Sequence, residues 1–277
     1  MNNLFINRVT DAIDLLCQYE PKQGYHVAFS GGKDSVVLAD LCKKAGVKYK
    51  LHYMNTTIDP PELVRFIMKN YPDCKFIRPL RPFSEVIKEK QYPPTRVVRY
   101  CCQVLKEHYQ PNGIILMGIR KKESWKRSKR SMFELLHKSG TFVINPIIYW
   151  EDFEVWEYIG EHKLPYCLLY DEGYKRLGCV MCPQAGSSNM KKDAKRFPRI
   201  AKRWLMYFNK MYDYQVNVNG KDYRHWKSGQ DVYDWWINTS AKNSDKETLS
   251  LLKNEVGKEI AELKKVDEVE GVKEGLQ

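Results

Sequence analysis

Six consecutive residues, Ser30, Gly31, Gly32, Lys33, Asp34 and Ser35, put two glycines, a cation, a carboxylate and two hydroxyls into one short stretch. They follow the apolar run His26 to Phe29, which reads as a buried strand, and precede Val36 to Leu41, which reads as the opening of a helix. A glycine pair between a strand and a helix N-terminus turns several backbone N–H groups toward one point, and the helix dipole favours an anion there. Lys33 adds a full positive charge, and Ser30 and Ser35 add hydroxyl donors. A phosphate-bearing ligand suits this chemistry; a plain glycine-rich turn capped by Ser35 is the alternative.

Two further groups could do chemistry. Arg120 directly follows the apolar run Gly113 to Ile119 and leads a cluster with Lys121, Lys122, Lys126 and Arg127. The chain also has eight cysteines, of which Cys101 and Cys102 are adjacent and Cys179 and Cys182 enclose two residues. A Cys-x-x-Cys pair places two thiolates on one metal centre. Adjacent cysteines splay their side chains, which is awkward for compact tetrahedral zinc and workable for a larger cluster. Zinc, redox thiols and plain burial remain the other readings. Cys17 and Cys42 read as packed thiols, and Cys167 as a packed thiol or a sulfur-handling one.

The elements that must position these groups follow from apolar periodicity. An amphipathic helix is expected over Leu4 to Tyr19. Strands are expected at His26 to Phe29, Val47 to Asn55, Cys74 to Pro79, Gly113 to Arg120 and Phe142 to Ile148. Helices separate them, among them Pro61 to Asn70 with Asp59 as its N-cap, Phe83 to Lys90, a helical stretch holding Cys101 and Cys102, and one starting near Asp152. The alternation predicts an α/β fold with a five-stranded parallel sheet flanked by helices. Right-handed crossovers then bring all strand C-termini to one edge. The loop at 30–35, Asn55 to Asp59, Arg78 and the Arg120 cluster are thus expected to meet in one crevice.

Hydrophobic residues are 43% of the chain and charged residues 29%, which excludes a disordered protein. No run approaches the roughly 18 apolar residues of a membrane span. The N-terminal residues lack a basic stretch followed by an apolar core, so the expected compartment is the cytoplasm. Net charge is +12, with eight Lys or Arg against two Asp between Met190 and Tyr214, and this favours a polyanionic partner. There the lysines could track phosphates and Tyr or Trp faces could stack bases, or Trp204, Tyr207, Phe208, Met211 and Trp235 could be core. The expected organisation is 1–165 as a nucleotide-binding domain, 166–252 as a cysteine-bearing loop and basic aromatic helical region, and 253–277 as a charged tail.

The chain resembles the phosphoadenosine phosphosulfate (PAPS) reductase family, within the PP-loop ATP pyrophosphatases. The resemblance rests on Ser30 to Ser35, Gly118 to Ser124, Asn145-Pro146-Ile147 with Trp150, Val155 and Trp156, and Tyr170 to Tyr174 leading to Gly178 and Cys179. It implies a Rossmann-like fold and an adenine-nucleotide site. Ser30, Gly31, Gly32, Lys33, Asp34 and Ser35 would cradle phosphates, with Asn55 beside them. Arg120, then Lys121 and Arg127, would supply positive charge. Lys33 would stabilise charge in the reacting group, and Asp34 would either bind Mg2+ with the phosphates or fix the loop. Cys101, Cys102, Cys179 and Cys182 resemble the ligand set of a 4Fe–4S cluster in the cluster-bearing branch. The assimilatory reductases of the family carry a catalytic cysteine in a C-terminal Glu-Cys-Gly-Leu-His motif; here Cys182 is the last cysteine of the sequence. The resemblance therefore implies an ATP pyrophosphatase or sulfurtransferase that adenylates an acceptor. The acceptor would be a nucleic acid such as DNA, as in DNA phosphorothioation, or tRNA, with a cysteine desulfurase or another sulfur donor as partner. PAPS or adenosine phosphosulfate (APS) reduction by an external thiol is the alternative, and nucleotide binding without catalysis the third.

Overall fold

The computed structural model describes residues 3–109, 111–136, 140–223 and 225–239. The chain runs α1 (Asn3–Gln18), β1 (Tyr25–Ala28), α2 (Lys33–Ala45), β2 (Tyr49–Met54), α3 (Pro61–Asn70), β3 (Lys75–Ile77), α4 (Phe83–Glu89) and α5 (Tyr100–Leu105). It continues with β4 (Ile115–Met117), α6 (Trp125–Ser128), β5 (Phe133–Leu136), β6 (Thr141–Ile144), α7 (Asp152–Glu161), α8 (Ser187–Arg196), α9 (Pro198–Asn217) and α10 (Gly229–Thr239). The strands form one sheet in the order β3-β2-β1-β4-β6-β5. All neighbours are parallel except β5 and β6. The charged tail expected at 253–277 lies outside the described residues.

The five expected strands are present, and a sixth was not foreseen. Strand β5 has only four residues and follows the charged stretch 120–131, so its apolar signal is too short to stand out. It pairs antiparallel with β6, opposing Leu135 to Phe142. Asn145 ties the hairpin down, donating from Nδ2 to the Ser131 carbonyl at 2.8 Å.

Both sheet faces are covered. On one, Phe5, Ala12 and Leu16 of α1 meet Tyr25, Val27, Val37, Leu41, Trp150 and Tyr158. On the other, Phe29, Tyr53, Leu63 and Phe83 share a core with Trp204, Phe208, Met211 and Trp236 of α9 and α10. The inward residues of α9 recur at helical spacing, Ile200, Trp204, Tyr207, Phe208 and Met211.

Two local expectations are corrected, and one open alternative is decided. Asp59 does not cap α3; Pro60 takes that position, and Asp59 instead accepts from Tyr53 Oη (2.7 Å) and the Thr56 N–H (3.2 Å). Cys17 is exposed rather than packed, its Sγ 3.5 Å from the Ala45 carbonyl. Trp204, Tyr207, Phe208 and Met211 are buried, so stacking on bases is ruled out for them. The packed readings of Cys42 and Cys167 stand, since both are buried.

Candidate functional site

The sheet order reverses between β1 and β4, which is where parallel sheets open a crevice beyond their strand ends. The register aligns Ala28 of β1 with His52 of β2 and Met117 of β4. The loop at 30–35 and the segment carrying Arg120 therefore leave the sheet at one level. Their close approach needs Gly118: a Cβ there would lie 2.9 Å from the Asp34 carbonyl oxygen and 3.2 Å from Ser35 N. Gly31 takes φ +70°, and an added Cβ would sit 2.7 Å from Ile67 Cδ1 and 2.8 Å from Leu63 Cδ1 of α3.

The loop is braced from within. Ser35 Oγ donates to the Gly32 carbonyl (2.8 Å) and accepts from the Ser30 N–H (3.2 Å), while Ser30 Oγ accepts from the Gly32 N–H (3.3 Å). The Lys33 N–H, at the first turn of α2, donates to Tyr170 Oη at 2.9 Å. Tyr170 lies in the segment that leads to Cys179, so this bond joins the glycine loop to the cysteine-bearing part of the chain.

The charges are arranged tightly. Lys33 is 5% exposed and Arg120 is 2% exposed. Arg120 Nε donates to Asp34 Oδ1, and its Nη2 donates to Asp152 Oδ1 at 2.7 Å. Lys33 Nζ is 3.0 Å from that same Asp152 oxygen and 3.4 Å from Asp34 Oδ2. Burial works to raise the Asp152 carboxyl, but Lys33 and Arg120 together hold it below the usual carboxylate range. Asp34 thus braces the two cations with both oxygens, an arrangement different from an Asx-type turn.

The structure brings Ser30, Gly31, Gly32, Lys33, Asp34, Ser35 and Arg120 into one site and adds two residues that sequence reading missed, Asp152 and Tyr170. A carboxylate at the start of the helix that follows another strand of the same edge was the available signal for Asp152. The other expected residues turn elsewhere. Asn55 Oδ1 accepts from the Thr57 N–H at 3.1 Å and shapes the turn after β2. Lys121 Nζ lies 4.7 Å from the Tyr149 ring centroid, and Arg127 pairs with Glu123. Arg78 follows the edge strand β3, two strands from β1.

The cysteines form a second group beside the β2–α3 loop. Cys101 and Cys102 lie on α5. Cys179 Sγ is 3.6 Å from Thr56 Oγ1, and the Val180 N–H donates to the Ile58 carbonyl at 2.9 Å. Met181 adopts φ +59° and donates its N–H to Asp193 Oδ2 at 2.8 Å, which turns the chain between Cys179 and Cys182. The four thiols feel one another's charge: Cys101 is pushed up by Cys102, by burial, and by Cys182 and Cys179. The Cys101 thiol and Arg99, whose Nη2 lies 3.4 Å from Cys102 Sγ, hold Cys102 below the ordinary thiol range. Burial raises Cys179 to about 12, against the pull of Lys106. Among the described residues, no three His, Cys, Asp or Glu side chains are gathered to hold a single metal ion. The donor set there is four free thiols with Arg99 and Lys106 as neighbouring cations.

The phosphoadenosine phosphosulfate reductase domain pattern matches residues 24–185. A 201-residue stretch, 66% of this chain, is 33% identical to an uncharacterized protein of Methanocaldococcus jannaschii and covers 41% of it. A second uncharacterized protein of that organism is 29% identical over 73% of this chain and 51% of its own length. The chain thus spans about half the length of these curated relatives. An adenosine 5'-phosphosulfate reductase of Shouchella clausii is 25% identical over 63% of this chain and 78% of its own. Among solved structures, a PAPS reductase from Candida auris in a phosphate complex superposes with a TM-score of 0.49 and 20% identity, covering 62% of this chain and 87% of that one.

Proposed function

Because the chain belongs to the phosphoadenosine phosphosulfate reductase family, we propose that it binds ATP at the switch-point crevice and splits it to AMP and pyrophosphate, transferring the adenylyl group to an acceptor oxygen before sulfur displaces it. The observation that carries this reading is the pair of buried cations, Lys33 and Arg120, beside an N-terminal glycine loop. In the first step the acceptor oxygen forms a bond to the α-phosphorus, and the bond to the bridging oxygen breaks. Pyrophosphate leaves with that electron pair. Lys33 and Arg120 are placed to stabilise the charge that grows on the phosphate oxygens, usually a large part of such a rate enhancement. Ser30 and Ser35 keep the loop open by bonding each other and the loop backbone. In the second step a persulfide delivered by a cysteine desulfurase, or another sulfur donor, would attack the atom that bears the adenylated oxygen; the bond to that oxygen breaks and AMP leaves with its electron pair, and a second thiol then reduces the disulfide link that joins product to donor. Mg2+ would accompany the phosphates.

Cys101, Cys102, Cys179 and Cys182 would hold a 4Fe–4S cluster, with Arg99 and Lys106 offsetting its negative charge. When bound, such a cluster supplies iron–sulfur redox chemistry. Anaerobic purification with metal and sulfide analysis tests this. Cys179→Ser is expected to lose the brown colour, and colourless wild type containing zinc would overturn the assignment.

A nucleic acid is the proposed acceptor. Support comes from exposed side chains close in sequence to Arg120 and Asp152. Trp125 is 71% exposed with Lys129 Nζ 3.8 Å from its ring centroid, and Tyr149 is 52% exposed under Lys121. Trp125 opens α6 five residues after Arg120, and Tyr149 precedes Asp152 by three residues; their rings offer stacking faces beside phosphate-contacting lysines. The deciding experiment measures pyrophosphate release from ATP with and without DNA or tRNA. Stimulated release supports the reading. Thiol-dependent sulfite release from PAPS or APS, with no pyrophosphate from ATP, would replace it with sulfonucleotide reduction, the activity named for the bacterial relative. Nucleotide binding with no turnover would leave a binding protein.

A further inference from the structure

Two cations, each nine-tenths or more buried, point at a single oxygen atom. Lys33 Nζ is 3.0 Å and Arg120 Nη2 is 2.7 Å from Asp152 Oδ1. Buried charges need compensation, and here two carboxylates provide it. The two are not equivalent. Asp34 is on α2 beside Lys33, its side chain is 17% exposed, and it gives one oxygen to each cation. Asp152 arrives from another segment, opens the first turn of α7, and leaves 65% of its side chain in solvent. Asp34 is built into the site, whereas Asp152 is held there from its solvent side.

We propose that the point between Lys33 Nζ and Arg120 Nη2 is an oxyanion subsite that the chain fills with its own Asp152 carboxylate, and that an oxygen of a ligand's phosphate or sulfate group binds by displacing it. The assignment rests on the nucleotide reading of the crevice and adds what the site does before the ligand arrives. With Asp152 in place, the two cations face two anions and the subsite is locally neutral. A phosphate approaching that arrangement meets a carboxylate. Once Asp152 swings away, one positive charge is uncompensated and the same two donors are open. A tethered carboxylate competes at high effective concentration, so Asp152 weakens every anion that binds there. Asp152 is in this sense a competitor of the ligand for the two cations.

The test is pyrophosphate binding to the full chain by titration calorimetry, in EDTA so that no divalent cation recruits either carboxylate. Asp152→Asn keeps the shape and removes the charge; Asp152→Ser removes the competing oxygen while keeping a residue suited to a helix start. Both are expected to lower the Kd for pyrophosphate five- to tenfold and to leave the thermal midpoint near that of wild type. A gain in affinity is not what a loosened fold produces, so a purely structural role would not give this result. If wild type binds and folded variants bind no more tightly, or bind more weakly, the assignment of Asp152 is overturned and the nucleotide reading survives. If neither wild type nor the variants bind pyrophosphate or ATP, both readings fall.

Discussion

His52 should make the fold sensitive to mild acid. It is on β2, 6% exposed, with its ring centroid 5.0 Å from that of His26 and 5.4 Å from that of Tyr109. Its Nδ1 has no hydrogen-bond partner among the described residues. Burial first, then His26 and the ammonium groups of Lys75 and Lys50, pull its pKa from the ordinary 6.5 down to about 4. The folded protein therefore keeps His52 neutral where the unfolded chain would protonate it. Its contribution to stability is complete above pH 6.5, declines as pH falls from 6.5 to about 4, and changes no further below that. Between pH 7.5 and 5.5 this amounts to about 1 kcal/mol, because the unfolded imidazole gains about one pH unit of protonation free energy that the folded one does not. Urea unfolding followed by tryptophan fluorescence at the two pH values gives the measurement. Wild type should lose about 1 kcal/mol more than His52→Gln, which keeps His26 and both lysines. Equal losses in the two proteins, or an imidazole signal of His52 titrating near 6.5 in the folded state, would refute the reasoning.

Lys33→Ala should abolish nucleotide turnover while the circular-dichroism spectrum stays that of wild type; retained turnover removes Lys33 from the chemistry. Gly118→Ala should raise the Kd for ATP at least tenfold, since its new Cβ, 2.9 Å from the Asp34 carbonyl oxygen, forces the glycine loop away from Arg120. An unchanged Kd would mean that the spacing of loop and arginine does not govern binding. Trp204→Ala should destabilise by about 3–5 kcal/mol in urea titrations, because Trp204 packs 4.6 Å from Trp236 and 5.6 Å from Phe83 between ring centroids. A loss below about 1 kcal/mol would mean that the shared core relaxes around the gap.

The parallel part of the fold was legible because each strand is an apolar run bounded by glycine, proline or polar residues, and each crossover helix has its own periodicity. Residues 30–35 announced themselves by composition. Asp152 did not, because a carboxylate at a helix start has an ordinary local explanation and its role depends on Arg120, which is 32 residues away in sequence. The aromatic residues of α9 show the opposite failure: lysines and aromatics together suggest a stacking surface, yet helical spacing had already put Trp204, Phe208 and Met211 on one inward face. Sequence shows which residues share a face; only the neighbouring elements decide whether that face is covered. Strand β5 escaped because four residues carry too little pattern, and its existence depends on pairing with β6.

The core on the α9 side of the sheet also sets an order of events during synthesis. Phe29, Tyr53 and Phe83 leave the ribosome well before Trp204, Phe208 and Trp236, which cover them. At typical elongation rates of about 5–20 residues per second, the stretch between α5 and the end of α9 takes on the order of 5–20 s to appear. During that interval β4, β5 and β6 complete the sheet, and its α9-side face stays bare until α9 and α10 follow. The glycine loop can form early from local sequence, but the floor beneath it is finished only when α9 and α10 arrive. Codon choice and chaperone supply over residues 106–217 should therefore govern the yield of folded protein more strongly than changes within the first hundred residues.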